Sequence, residues 1–495
     1  MLMHGKYLVF WDNEVFIVSL QVALFWLLRM NRVLTAILLL LTLVLTGCTK
    51  RAGNFPPDNT GVRLDSTNLP IVWIEVNGDS IMRDTRIGGR MKVIDNGAGR
   101  LNYADTVAHP GQRVDYDGYI AVRHRGNSTY HDSPKKAYSL HTLAEPMWRD
   151  VTTKRKVKLL GMGKDHNWAL LAPYSDKSMM RDLLAQEVSR PWMEYVPQGR
   201  YCELILDGTY YGVYILSEVV SKGKRRLDLR GPGDKGDALT GDYLMEVDFD
   251  DDVTYASRQH PLTADGRPLT DRRILFQHKE PEYEDLEPEQ LDYIHRRIDQ
   301  MEVALATGRY SDLIDVTSFI DYQLAMELGH NIDGYRLSGK FYKRRDSQDA
   351  RFKMVVWDMN LAYGNCNRLD AWRTDTWVYR SNDLMYREGE KHLIPSWWYY
   401  LNNDPQYVAR LKARWAEYRR SNLSEERLMA TIDSLATVLT SHGAERRNSQ
   451  AWPRWGVWVW CNHYVATSFD DEVEHLKQWL HERIAWMDGQ LGLSN

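Results

Sequence analysis

The stretch HNIDGYRLSGKFYKRRDSQDARFKMVVWDMN, residues 330–360, constrains the fold more than any other part of the chain. Two strand-like runs, Leu337 to Arg344 and Arg351 to Trp357, flank the turn-forming Asp346-Ser347-Gln348-Asp349, which predicts an antiparallel hairpin. With the turn centred near Ser347, Leu337 is expected opposite Trp357. Asp333, before the first strand, and Asp358, after the second, then emerge at the same mouth of the hairpin. Two carboxylates converging there repel each other unless a cation sits with them or one is protonated. A divalent metal or a substrate cation meets the first condition. The plainer alternative is that both aspartates only form turns at strand ends.

Upstream, Ile71 to Val76, Tyr119 to Arg123, Tyr201 to Leu206, Tyr211 to Leu216 and Tyr243 to Val247 read as strands, with Asp207-Gly208 as a hairpin turn. Residues Asp176 to Arg190 space Met179, Met180, Leu183, Leu184 and Val188 as a helix does. Further helices are expected over Pro288 to about Ala306 and Val316 to Gly329, and beyond about Cys366 the chain reads as helices with Trp-rich connections. The order predicts an α+β protein, a strand-rich lobe followed by a helical one, with a ligand cleft between them. The formal net charge of -4 over 495 residues gives no broad basic face, so nucleic acid is not an expected partner.

Met30, Asn31 and Arg32 precede an apolar run, Leu34 to Thr46, and then Leu45-Thr46-Gly47-Cys48. This is signal-peptide grammar ending in small residues before a cysteine, and it resembles the lipobox of bacterial lipoproteins. The run also reads as a membrane anchor, but roughly 13 residues fall short of the ~20 that a spanning helix needs. Residues 30–47 are therefore expected to be a signal, Cys48 to carry lipid, and 48–68, with Pro56-Pro57, to be a tether. Residues 1–29 fit no signal grammar and read as an extension from a start placed too early. With Cys48 lipidated, Cys202, Cys366 and Cys461 remain. That odd number argues against a disulfide framework and leaves one bridge, Cys366 to Cys461, open.

Several segments together carry a specific resemblance. VRHRGNSTYHDSPKKAYSL (122–140), LLGMGKDHNWALLAPYSDKSMMRDLLAQEVSR (159–190), YCELILDGTYYGVYILSE (201–218), LFQHKEPEYEDLEPEQ (275–290), NIDGYRLSGKFYK and VVWDMNLAYGN occur in this order. The chain is similar to the spore coat protein H (CotH) kinase family, of a lipoprotein type. The resemblance implies a bilobal protein-kinase-like fold over 69–365, with 366–495 as a helical, Trp-rich part of the same unit. It also implies an atypical protein kinase that uses ATP and Mg²⁺ to phosphorylate Ser or Thr of a protein substrate in the bacterial envelope, at the outer membrane.

Carried over by position, Asp333 matches the catalytic aspartate and Asp358 the metal-binding one of the family's Trp-Asp-x-Asp motif. Asn360 stands where that motif has a second Asp, and Ser338 where kinases place a metal-binding Asn. Arg125, Gly126, Asn127 and Ser128 form a turn suited to wrapping phosphates. Lys136 alternates with Tyr138 and Leu140 as a phosphate-pairing lysine would, with Lys135 left open as its rival. Arg181 is expected to contact phosphate or to lock its helix to the acids, or else to make a surface salt bridge. Glu218 falls where a kinase hinge meets adenine. A different class of function stays open: a catalytically degenerate, kinase-shaped surface protein that binds a glycan or a protein.

Overall fold

Period-two alternation of apolar residues builds the first half of the chain into strands: β1 (Ile71–Glu75), β2 (Ile87–Ile94), β3 (Val114–Arg125), β4 (Ala137–Leu143), β5 (Asn167–Leu171), β6 (Gly199–Leu206) and β7 (Thr209–Glu218). The computed structural model describes residues 61–149, 151–249 and 254–493. The expected extension 1–29, signal 30–47, Cys48, the tether up to residue 60 and Asp250 to Asp252 lie outside them. The seven strands close into a barrel in the order β1-β2-β3-β4-β5-β7-β6. Closure comes from a parallel seam that pairs Ile71 with Glu203 and Ile74 with Leu206. The strand-rich region is thus a closed barrel rather than an open sheet. At the β6–β7 turn, Asp207 and Gly208 both have positive φ, 46° and 75°, as a two-residue hairpin turn needs for its twist to match the strands.

Strand β7 is buried on both faces. Tyr214 and Leu216 join the barrel core with Ile120, Val122, Leu140 and Trp168. Val213 and Ile215, pointing the other way, join the second core with Leu183 and Leu184 of helix α1 (Arg181–Ser189). The fit there is close, since a Cβ on Gly199 would come within 2.7 Å of Leu183 and 2.8 Å of Ile215.

A second sheet, in the order β9-β10-β8-β11-β12, comprises β8 (Tyr243–Val247), β9 (Thr254–Ala256), β10 (Leu275–Glu280), β11 (Gly339–Lys343) and β12 (Phe352–Val355). Between β10 and β11 lie α2 (Pro288–Ala306) and α3 (Val316–Gly329). Their starts are set by side chains, a Glu287/Gln290 capping box with Pro288 at the first turn and Asp315 accepting from the Ser318 N–H. The later chain is helical, with α4 (Pro405–Arg419), α5 (Glu425–Thr440) and α6 (Phe469–Leu491) its longest members. Among the described residues no helix is long and apolar enough to cross a membrane.

Two expectations need correction. The 337–357 hairpin forms, but Lys340 pairs with Val355 and Lys343 with Phe352. Continued outward, that register sets Leu337 level with Asp358, one residue from the expected Trp357. Asp346–Asp349 winds into a helical turn instead of a tight reversal. The first strand also starts late, because the Arg336 and Leu337 N–H groups both donate to the Asp333 carbonyl and coil that segment. The helix expected from Asp176 begins at Arg181. Asp176 accepts from the Arg181 N–H at 2.8 Å and from the Ser178 hydroxyl at 2.6 Å, so residues 176–180 form a turn, with Met179 at φ 61°.

Candidate active-site cleft

The hairpin delivers both aspartates to one place, and the side chain of Asn331 couples the segments that carry them. Its carboxamide nitrogen donates to the Asp358 carbonyl at 3.0 Å, while its oxygen accepts from the Asp333 N–H at 3.2 Å. Asp358 takes a left-handed conformation, φ 58°, uncommon for a residue with a side chain and frequent where function over-determines the backbone. That turn aims the next N–H, of Met359, at Asp182 Oδ1, 2.9 Å away on α1. The Ser338 hydroxyl lies 3.3 Å from Asp358 Oδ2. Arg336 holds Asp333 through Oδ1 at 2.8 Å and is itself fixed by Glu390 at 2.8 Å and the His392 carbonyl at 3.0 Å.

The electrostatics reflect this crowding of carboxylates. Asp358 has its pKa raised, first by desolvation, with Asp333 adding to the shift while Arg125 and the Ser338 hydroxyl oppose it. Its side chain still reaches solvent, so the desolvation is that of a concave cleft wall and not of a dry core. Asp182 is pushed up to about 7, again by burial first and by the Asp358 charge second. Burial lowers the Arg125 pKa, while Asp358, Glu246 and Asp182 favour its charge; its guanidinium stacks 5.3 Å from the Trp357 ring centre. Among the described residues, no three His, Cys, Asp or Glu side chains are arranged to hold a metal ion by themselves.

These groups line a cleft of about 430 Å³. Arg125, Gly126, Asn127, Ser128, Asp333, Asp358 and Asn360 all reach it. Gly126 is required where it stands, because its φ is +91° and a Cβ would come within 1.9 Å of Thr129 Oγ1. Asn360 contributes its carbonyl to Asn365 Nδ2 at 2.8 Å.

Lys136, Arg181 and Glu218 are not part of the cleft wall. The Lys136 ammonium donates to the Tyr130 carbonyl and lies 5.0 Å from the Tyr130 ring centre. Lys135 is fully buried, donating to the Val213 carbonyl at 2.5 Å and to Asn448 Oδ1 at 2.8 Å. Arg181 is also buried, against the surface-bridge reading. It pairs with Asp176 at 2.6 Å and Glu472 at 2.8 Å, and its Nε donates to the Ala362 carbonyl at 3.1 Å. It therefore ties α1 to α6 and to the loop after Asp358. The Glu218 carboxylate accepts from the Gly163 N–H, the Gln198 N–H and the Tyr195 hydroxyl, so all its visible partners are internal.

Sequence reasoning missed Asp182, Asn331 and Arg336 as members of the site. The first is one acid in the first turn of a helix, with no motif of its own. The other two flank Asp333 and carried no motif of their own.

Residues 122–487 of the chain match the family model described as "CotH kinase protein". The match covers well over half of the sequence and runs across the boundary expected at 365/366. No curated protein matches the chain.

Proposed function

The chain belongs to the CotH kinase family, and from that premise we propose that it has the bilobal kinase-like arrangement and phosphorylates Ser or Thr of another protein, using ATP and Mg²⁺ in the cleft. The reading includes a lipid on Cys48 that holds the protein at the outer membrane of a bacterial envelope. The observation that carries the catalytic part is the convergence of Asp333, Asp358 and Asp182 on one cleft that also holds the Arg125–Ser128 turn.

The residues fit both groups. Mg²⁺ takes hard oxygen ligands and usually only one or two carboxylates, completing its shell with phosphate and water. Asp358, with Asp182 beside it and the Asn360 side chain nearby in sequence, offers that kind of donor set. Burial first, and neighbouring carboxylates after it, raise the Asp182 and Asp358 pKa values, and a bound cation would offset both effects. Small apolar side chains, Ala137, Ala172, Ala185 and Val356 among them, line the cleft and suit a planar base. When bound, the ion supplies charge neutralisation at the transferred phosphoryl group.

The chain's own groups do the rest. Asp333, held through Oδ1 by Arg336, keeps Oδ2 to accept the proton of the acceptor hydroxyl. Arg125, fixed on Trp357, places a cation for phosphate oxygens, the role expected of Lys136. Gly126, Asn127 and Ser128 line the same cleft, and backbone N–H groups of such a turn suit phosphate.

Calorimetric titration of the purified chain with ATP, with and without Mg²⁺, tests the reading. Metal-dependent binding supports it. Silence with ATP and binding to a glycan would instead favour a kinase-shaped binder.

A further inference from the structure

Away from the carboxylate cluster, two thiols lie against each other. Cys366 Sγ and Cys461 Sγ lie 2.8 Å apart, 95 residues apart in sequence. Their main chains are held side by side as well. Cys366 bridges to Asn462 in antiparallel fashion, the Asn367 N–H donates to the Cys461 carbonyl at 2.8 Å, and the His463 N–H donates to the Asn365 carbonyl at 2.9 Å. Asn462 Nδ2 adds bonds to Asn365 Oδ1 and to the Ser175 carbonyl, both at 2.7 Å. Cys366 ends the loop that leaves Asp358, and Cys461 follows Trp460; Cys366 and Trp460 both line the cleft.

We propose that Cys366 and Cys461 form a disulfide in an oxidising compartment, which clamps the loop that leaves Asp358 to the Trp-rich C-terminal segment. The oxidant is a small-molecule or protein disulfide. The Cys366 thiolate attacks one of its sulfurs and displaces a thiolate. The Cys461 thiolate then attacks Cys366 Sγ of the mixed disulfide and displaces the second. One S–S bond forms and one breaks, two electrons pass to the oxidant, and the two protons lost by the cysteines end on its thiols. The same two steps balance with the two cysteines exchanged. Exposures of 1% and 0% for Cys366 and Cys461 shield the closed bridge, so exchange belongs to folding or to opening of this loop. Cys202 has no such partner: it sits in the barrel core, its sulfur 3.7 Å from the Tyr214 carbonyl.

The clamp stands on the loop geometry and is independent of what the cleft binds. To test it, the full chain is equilibrated with glutathione and glutathione disulfide, denatured, alkylated and mapped without reduction. A peptide pair joined through Cys366 and Cys461, two hydrogens lighter than its parts, with Cys202 alkylated, is the expected result. Alkylation of both Cys366 and Cys461, or a bridge to Cys202, overturns the proposal. The oxidised chain is also expected to melt a few degrees above the reduced one, because a long loop is closed in the unfolded state. Cys366→Ser should abolish that redox dependence and Cys202→Ser should keep it. A bridged chain that melts where the reduced chain does would overturn the clamp.

Discussion

Asp182 Oδ1 accepts the main-chain N–H of Met359 at 2.9 Å, and this bond ties helix α1 to the left-handed turn at Asp358. Asp182 is therefore a support for Asp358 as well as a charge beside it. Its pKa is pushed up to about 7 by burial and by Asp358, against about 3.9 for a free aspartate. Between those values the native state binds more protons than the unfolded state, so stability falls as pH rises from about 4 to 7 and levels off above. Asp182→Asn keeps an acceptor for Met359 and removes the titration. Its urea-unfolding free energy is expected to vary less over that window than the wild type's. Glu302, also pushed up to about 7 by burial, contributes a slope of the same sign to both proteins and leaves the comparison intact. Equal slopes in variant and wild type would contradict this role for Asp182.

The buried Arg181 pairs with both Asp176 and Glu472. Removing it leaves two buried carboxylates without that cation. Arg181→Met is expected to cost about 3–5 kcal/mol, read as a lower midpoint in chemical denaturation. A loss below about 1 kcal/mol, the range of exposed pairs, would mean that the arginine does not act as the lock between α1 and α6.

Gly126 has φ +91° and no room for a Cβ beside Thr129. Gly126→Ala is expected to distort the turn at a cost of about 1–3 kcal/mol and to weaken ATP binding measured by calorimetry. Unchanged affinity would remove this turn from the phosphate site.

Asn360 is the place where this chain departs from the two-aspartate motif. Asn360→Asp adds a carboxylate to the cleft, and metal affinity tracks ligand charge, so Mg²⁺ binding is expected to tighten by ~10-fold. Titration of Mg²⁺ into the nucleotide-bound chain reads this directly. Weaker binding in the variant would place the ion away from residue 360.

Features set by local chemistry were legible in the sequence. The Asp207-Gly208 turn, the helices starting at Pro288 and Val316, and the strand Tyr243–Val247 all form, because turn residues, caps and alternation act over a few positions. Barrel closure was not legible, since it depends on β1 meeting β6 along a parallel seam between residues far apart in sequence. The hairpin was legible as a hairpin, while its register turned on whether 346–349 reverses tightly or winds once, a difference of one residue. At the site, Asp333 and Asp358 could be set together by pairing the strands. The burial of Arg181 and the diversion of Lys136 to Tyr130 could not, because both depend on partners brought in by tertiary packing, Glu472 on α6 for the first and the short helix Ser128–Asp132 for the second.

The central claim is tested most directly by phosphate transfer. The chain is incubated with labelled ATP and Mg²⁺ together with candidate envelope proteins, beside its Asp358→Ala variant, and label on Ser or Thr is counted. Mg²⁺-dependent transfer is expected from the wild type, with a loss of at least two orders of magnitude in the variant, the scale on which removing a key charge stabiliser lowers turnover. Undiminished transfer by Asp358→Ala would contradict it.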